Sequence, residues 1–226
     1  MSQRLNNTAA HQIESGDYDK AIKTLNNALR LSRADFRQSQ TSHLFMLEAC
    51  LSYSQNLSTQ QAAAVGEGDE NSSNNSNSSN KNGLVIYQQA LRVPSEYMSH
   101  PMGRILPLLV MYNMALANQL KSLKETNDDK QRRVLLNRAL KLYELAYQWQ
   151  SKEEHKSLRL NMILVNNIGD IHRRVNNKTK FQRCMQQLMR TLLYVRVTDG
   201  ENIQQIQPME TTFRRNIQMS SSAGAA

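Results

Sequence analysis

Three stretches of the chain place small and apolar residues at the same offsets, and this recurrence constrains the fold more than any other feature. Each stretch closes on a triplet with spacings of four and three residues: Ala21, Leu25 and Ala28; Ala139, Tyr143 and Ala146; Phe181, Met185 and Leu188. Residues at these spacings share one face of an α-helix. A small residue precedes each triplet (Ala9, Ala115 or Gly169), which lets a second helix approach closely. The pattern predicts antiparallel helix pairs, and because one pair cannot bury its apolar face alone, the pairs are expected to stack.

The residue composition favours helices as well. The 226 residues include only 8 Gly and 4 Pro, and aromatic residues make up 6% of the chain. Straight-chain residues such as Leu, Gln, Lys and Arg lose little rotamer freedom in a helix. The sequence therefore predicts an all-α fold, a solenoid of stacked helix pairs with an aliphatic core.

Changes in composition divide the chain into four parts. Residues 1–57 are predicted to hold the first helix pair and a further helix. Residues 58–83 contain a long Asn/Ser run that has nothing to offset the entropy of ordering, which predicts a disordered linker. Residues 84–198 are predicted to form the main helical region, and its apolar start, Leu84 to Pro94, is read as an extended segment or a single strand pair. Residues 199–226 show weak periodicity and are predicted to be a disordered tail.

The segment Ala9 to Leu31, with Gly16-Asp17-Tyr18 at its turn, resembles a tetratricopeptide (TPR) repeat. Residues 135–150 resemble a second helix of such a repeat, and residues 166–172 resemble the start of a third. The last two regions are also similar to a group of uncharacterised TPR-like proteins from diatoms, in which helices flank low-complexity insertions. The resemblance implies a right-handed superhelix whose concave face serves protein binding, but it does not imply a particular partner.

An asparagine lies two residues before each small packing residue: Asn7, Asn113 and Asn167. In TPR-like arrays this part of the first helix lines the concave groove, so the resemblance implies that these amides hold a peptide backbone. An amide side chain both donates and accepts, which suits an extended main chain. The competing interpretation is that asparagine is common in this chain and tolerated on a polar helix face.

The net charge of +9 is concentrated in the second half of the chain. Residues 101–198 carry 18 basic and 7 acidic side chains, a net of +11. At one end of the expected groove, Arg173 and Arg174 would favour an acidic peptide or a C-terminal carboxylate. A nucleic-acid-associated protein is the alternative function, although no interleaved aromatic residues suggest base stacking. A solvated basic helix face without a ligand is equally compatible with this pattern.

No pattern of reactive groups predicts an enzyme. The five histidines lack metal-ligand spacing, and no phosphate-binding glycine loop or nucleophile elbow is present. The sequence thus predicts no catalytic residue, no cofactor and no metal site. The most apolar stretch, Ile105 to Leu123, is interrupted by amides, so no membrane span is expected. The expected localisation is intracellular, in the cytoplasm with the nucleus as the alternative, and the predicted function is a non-enzymatic scaffold that binds a protein or peptide partner.

Overall fold

The computed structural model describes residues 1–35, 43–65, 84–124, 128–152, 156–198 and 203–222. Within these ranges the regular structure is entirely helical, as the all-α prediction expected. The eight α-helices are α1 (Ser2–Glu14), α2 (Tyr18–Asp35), α3 (His43–Val65), α4 (Ile105–Lys124), α5 (Asp129–Ser151), α6 (Leu158–Arg174), α7 (Lys178–Thr198) and α8 (Ile203–Ser222). A single 3-10 turn, Ser95–Tyr97, precedes α4.

Most helices pack against the helices next to them in the chain. α1 contacts α2, α4 contacts α5, and α6 contacts α7, while α2–α4, α5–α6 and α7–α8 contacts join these pairs to one another. The three recurring triplets supply the buried faces of α2, α5 and α7; their central residues Leu25, Tyr143 and Met185 are almost fully buried. α4 is buried nearly all round because other elements cover it on every side.

Two glycines lie where the helices meet or turn. A Cβ on Gly169 of α6 would lie 2.7 Å from Met185 Cε, the movable end of that side chain, and 3.3 Å from Cys184 Cβ, so it would crowd the contact between α6 and α7. Gly16, between α1 and α2, has a φ of 83°. This left-handed conformation ends α1 at little steric cost for glycine.

The predicted disordered tail is wrong for residues 203–222, which form α8. Ile206, Met209, Phe213 and Asn216 recur at spacings of three and four and are buried. Because α8 packs against α7, tertiary contacts stabilise a helix whose own sequence is largely polar.

The linker boundary also needs correction. α3 continues to Val65, so residues 58–65 are helical and do not belong to a linker. This stretch contains Gln and a run of Ala, which are good helix formers. Residues 66–83, with the Asn/Ser run, lie outside the described residues, as do 36–42, 125–127, 153–155, 199–202 and 223–226.

Residues 84–94 form neither a helix nor a strand. Leu84, Ile86, Leu91 and Val93 are nonetheless buried, so this segment belongs to the core although it lacks regular secondary structure. Side chains from five helices, α1, α3, α4, α6 and α8, make hydrogen bonds with its main chain.

Candidate functional site

Asn167 of α6 and Asn113 of α4 each bind both main-chain polar groups, the N–H and the carbonyl, of one residue in the segment 84–94. Asn167 Oδ1 accepts from the Tyr87 N–H at 2.9 Å, and its Nδ2 donates to the Tyr87 carbonyl at 3.0 Å. Asn113 makes the same pair with Leu91, with both distances 2.8 Å. An amide is the side chain suited to this arrangement, because it carries a donor and an acceptor side by side.

The same pair recurs at the two ends of the segment. Asn7 of α1 accepts from the Val93 N–H at 2.8 Å and donates to its carbonyl at 2.7 Å. Asn216 of α8 accepts from the Val85 N–H at 2.9 Å and donates to its carbonyl at 2.8 Å. The four bound residues, 85, 87, 91 and 93, are all odd-numbered, and a period of two indicates an extended chain. We call these four asparagines the asparagine ladder.

A second set of amides joins neighbouring rungs of the ladder. Asn6 precedes Asn7, donates to the Leu91 carbonyl at 2.9 Å and accepts from Asn113 Nδ2 at 3.0 Å. Asn166 precedes Asn167 and has the same role at the other end: it donates to the Val85 carbonyl at 3.1 Å and accepts from Asn216 at 2.7 Å. These bonds fix the ladder amides relative to one another and satisfy their remaining buried polar groups.

In α4 the residue before the ladder asparagine is Tyr112. Its hydroxyl donates to the Gln89 carbonyl at 3.1 Å. Gln89 lies midway between Tyr87 and Leu91, the residues that Asn167 and Asn113 bind. Burial raises the pKa of Tyr112 well above its usual value, so the hydroxyl is protonated and available as a donor.

A buried polar chain continues from the ladder into the core. Asn167 Nδ2 also donates to the Tyr143 hydroxyl at 3.1 Å, and that hydroxyl donates to Gln119 Oε1 at 3.1 Å. Gln119 Nε2 in turn donates to Asp170 Oδ2 at 3.0 Å. Burial raises the pKa of Tyr143, which keeps its hydroxyl neutral. The chain of bonds holds the Asn167 amide in the orientation that the ladder requires.

The structure places Arg173 and Arg174 on this polar chain. Arg174 Nε lies 2.6 Å from one Asp170 oxygen, and Arg173 Nη2 lies 3.4 Å from the other. The carboxylate is fully buried and both guanidinium groups are about one-third exposed. The two arginines that were predicted to attract an acidic peptide therefore neutralise an acidic residue of the chain itself.

α3 contacts the edge of the segment opposite the ladder. Ser54 Oγ accepts from the Arg92 N–H at 2.8 Å, and the Ser54 carbonyl accepts from the Gln89 side chain. α3 is tied to α6 by Arg159, a buried arginine that donates to Ser52 at 2.9 Å. Helices from both sides thus enclose the segment.

The N-terminal half of the segment is enclosed less completely. A cavity of about 230 Å³ lies between α3, α8 and residues 85–89, with Thr59 of α3 and Phe213 of α8 among its walls. Gln88 is exposed at this point. At the other half, the guanidinium group of Arg92 forms an ion pair with Glu14 at the end of α1.

Sequence reasoning identified three rungs of the ladder and missed the fourth. Asn216 lies in the region assigned to a disordered tail, although the burial spacing of α8 is visible around it: Asn216 follows Phe213 by three residues, as Asn113 follows Val110 and Asn167 follows Leu164. That the ladder would hold residues of the same chain was not predicted, since it depends on the path of the chain between α3 and α4.

Comparisons with protein-family models, with curated proteins and with solved structures find no match for this chain. Across the described ranges, no helix has both the length and the apolar character needed to cross a membrane. The same ranges contain no group of three or more His, Cys, Asp or Glu residues placed to hold a metal ion.

Proposed function

We propose that this chain is a non-enzymatic protein-interaction scaffold that binds the main chain of an extended peptide through the asparagine ladder. The observation that carries the proposal is the paired hydrogen bonding of four asparagines, on four different helices, to residues 85, 87, 91 and 93 of one extended segment. Such bonds contact main-chain atoms only, and main-chain hydrogen bonds are what supplies affinity when an extended peptide is bound along its backbone.

The helix packing supports a TPR-like arrangement as the framework of this groove. In this arrangement α1–α2, α4–α5 and α6–α7 are antiparallel pairs stacked in order, and α8 begins a further unit. Contacts between successive pairs and the burial of the equivalent triplets agree with it. The ladder asparagines all lie on α1, α4, α6 and α8, which would be the first helices of their pairs and would line the concave face.

The proposal is tested with peptides that differ only in which main-chain N–H groups can donate. Two fluorescein-labelled peptides have the sequence of residues 84–94; one is N-methylated at the positions of Val85, Tyr87 and Leu91, and the other at those of Ile86, Gln88 and Ala90. The first set of N–H groups faces the ladder, and the second faces away, because successive groups of an extended chain point to opposite edges. Fluorescence anisotropy should show binding of the unmodified and the even-methylated peptide, and little binding of the odd-methylated one.

An Asn167→Ala variant should discriminate less between the two N-methylated peptides than the wild type does, since the N–H at the Tyr87 position no longer has its acceptor on the ladder. Asn137→Ala, on the exposed face of α5, is the matched control and should bind as the wild type does. Equal affinity for the two N-methylated peptides would contradict the proposal. So would the absence of binding both to the wild type and to the folded Val85→Pro variant described below.

Nucleic-acid binding by the basic second half is the alternative function. Duplex DNA and single-stranded RNA belong in the same assay at two salt concentrations, because phosphate-dominated binding weakens steeply with salt. Tight, salt-sensitive binding of nucleic acid together with no peptide binding would favour this alternative.

A further inference from the structure

We infer that residues 84–93 are an internal ligand of the groove, and that a partner peptide of similar chemistry binds by displacing them. This inference rests on the proposed function, and it adds how the site is regulated and which sequences it accepts. The segment uses both polar groups of every ladder asparagine, so in this state the ladder has no amide left for a second chain.

The internal segment also defines the side chains that the groove selects. Leu84, Ile86, Leu91 and Val93 are each at most 6% exposed, so their positions require apolar side chains. Arg92 forms an ion pair with Glu14, so a basic residue is favoured there. The ligand class is therefore an extended peptide with this apolar spacing and a basic residue before the last apolar position, and not an acidic peptide.

Displacement is expected to start at the N-terminal half of the segment. Residues 85–89 border the cavity between α3 and α8, and Gln88 is exposed. The C-terminal half is held more tightly, because Leu91 and Val93 are completely buried and Ser54 binds the Arg92 N–H. An incoming chain can take over the rungs at Asn216 and Asn167 first and then proceed toward Asn113.

An internal ligand competes at a high effective concentration, so it lowers the apparent affinity of any peptide in solution. Loosening the internal segment should raise that affinity. Val85→Pro removes the N–H that Asn216 accepts from, while a proline ring is compatible with an extended backbone. The labelled peptide of residues 84–94 should bind this variant about tenfold more tightly than the wild type, which corresponds to losing one buried hydrogen bond.

Gln88→Pro is the matched control. It also introduces a proline into the internal segment, but the Gln88 N–H faces away from the ladder and the Gln88 side chain is exposed. Its affinity for the peptide should stay within about twofold of the wild type. If Gln88→Pro abolishes peptide binding and Val85→Pro has no effect, the peptide pairs with the outer edge of the segment, and displacement is wrong.

Hydrogen exchange in the wild-type protein tests whether the peptide displaces the internal segment, even if Val85→Pro does not fold. Saturating peptide should release the protection of the Val85 and Tyr87 amides of the protein, whereas unchanged protection would overturn the inference. Equal peptide affinity of wild type and folded Val85→Pro would also overturn it but leave the proposed function intact. Absence of binding by both would contradict the proposed function itself.

Discussion

Val85 and Val93 lie at opposite ends of the clamped segment and are bound by opposite ends of the chain. Asn216 of α8 binds Val85, and Asn7 of α1 binds Val93, each through an N–H and a carbonyl. Helices that are remote in sequence therefore hold one stretch of ten residues.

This relationship predicts reciprocal local effects. Asn216→Ala should speed hydrogen exchange of the Val85 amide about tenfold, because the Val85 N–H loses its acceptor. The Val93 amide should stay protected, because its acceptor on Asn7 remains. Asn7→Ala should have the opposite pattern. Exchange measured by NMR on the two variants checks the prediction, and equal acceleration at both amides in either variant would contradict it.

Asn167→Ala should lower the free energy of unfolding by about 2–4 kcal/mol. The substitution leaves the Tyr87 N–H, the Tyr87 carbonyl and the Tyr143 hydroxyl without this partner, and an unsatisfied buried polar group costs about 1–3 kcal/mol. Urea denaturation is the measurement, with Asn137→Ala on exposed α5 surface as the control, expected within about 0.5 kcal/mol of the wild type. A loss below about 1 kcal/mol would show that water replaces the amide.

Gly169→Ala should destabilise the protein by no more than about 1 kcal/mol. Displacing the end of the Met185 side chain and crowding Cys184 Cβ cost about 1–2 kcal/mol, and the better helix propensity of alanine offsets up to about 1 kcal/mol. In a Met185→Ala background the overlap with Cε is gone, so the same change should cost about 1 kcal/mol less. The double-mutant cycle, measured by urea denaturation, tests whether this contact limits the approach of α6 and α7. Additive effects would show that it does not.

His172 should make the protein less stable below about pH 6.5, the usual pKa of histidine. Its imidazole is buried and Nδ1 has no hydrogen-bond partner. Burial lowers the pKa of His172, and nearby Lys180 lowers it further, while Glu144 opposes the shift. The unfolded chain thus takes up a proton at a pH where the folded protein does not. The free energy of unfolding therefore decreases as the pH is lowered below about 6.5, and His172 has no effect on it at higher pH.

The measurement is urea denaturation between pH 5 and pH 7.5 for the wild type and for His172→Gln. The variant should lose less stability than the wild type as the pH is lowered, because the difference isolates His172 from the other titrating groups. Parallel pH profiles would show that His172 is protonated equally easily in both states.

The sequence allowed the helix faces to be predicted but not the path of the chain between them. The position of Asn7, Asn113 and Asn167 relative to small residues follows from helical periodicity, which is a local property. Their binding to residues 87–93 depends on contacts across about 20 to 90 positions, and periodicity contains no information about these. Arg173 and Arg174 lie three and four residues after Asp170, spacings at which side chains pair on a helix, so these ion pairs follow from a local property. The burial of Asp170 against Gln119, 51 positions away, does not.

The two missed elements have different physical causes. The end of α3 contains good helix formers, Gln and Ala, beside the Asn/Ser run that was assigned to the linker. α8 has a weak local preference, and burial against α7 stabilises it. In α8 the buried face of Ile206, Met209 and Phe213 is visible at helical spacing, but a polar, serine-rich end obscured it.

The course of residues 84–93 has a consequence for folding. Stacked arrays with contacts only between adjacent units can fray from one end while the other end stays intact. Here one stretch of backbone bridges the first helix and the last of the described residues, so losing α1 releases bonds at Leu91 and Val93, and losing α8 releases those at Val85. These long-range hydrogen bonds should make unfolding all-or-none and folding slow for a helical protein, because α1, α4, α6 and α8 must all be in place before the complete set can form.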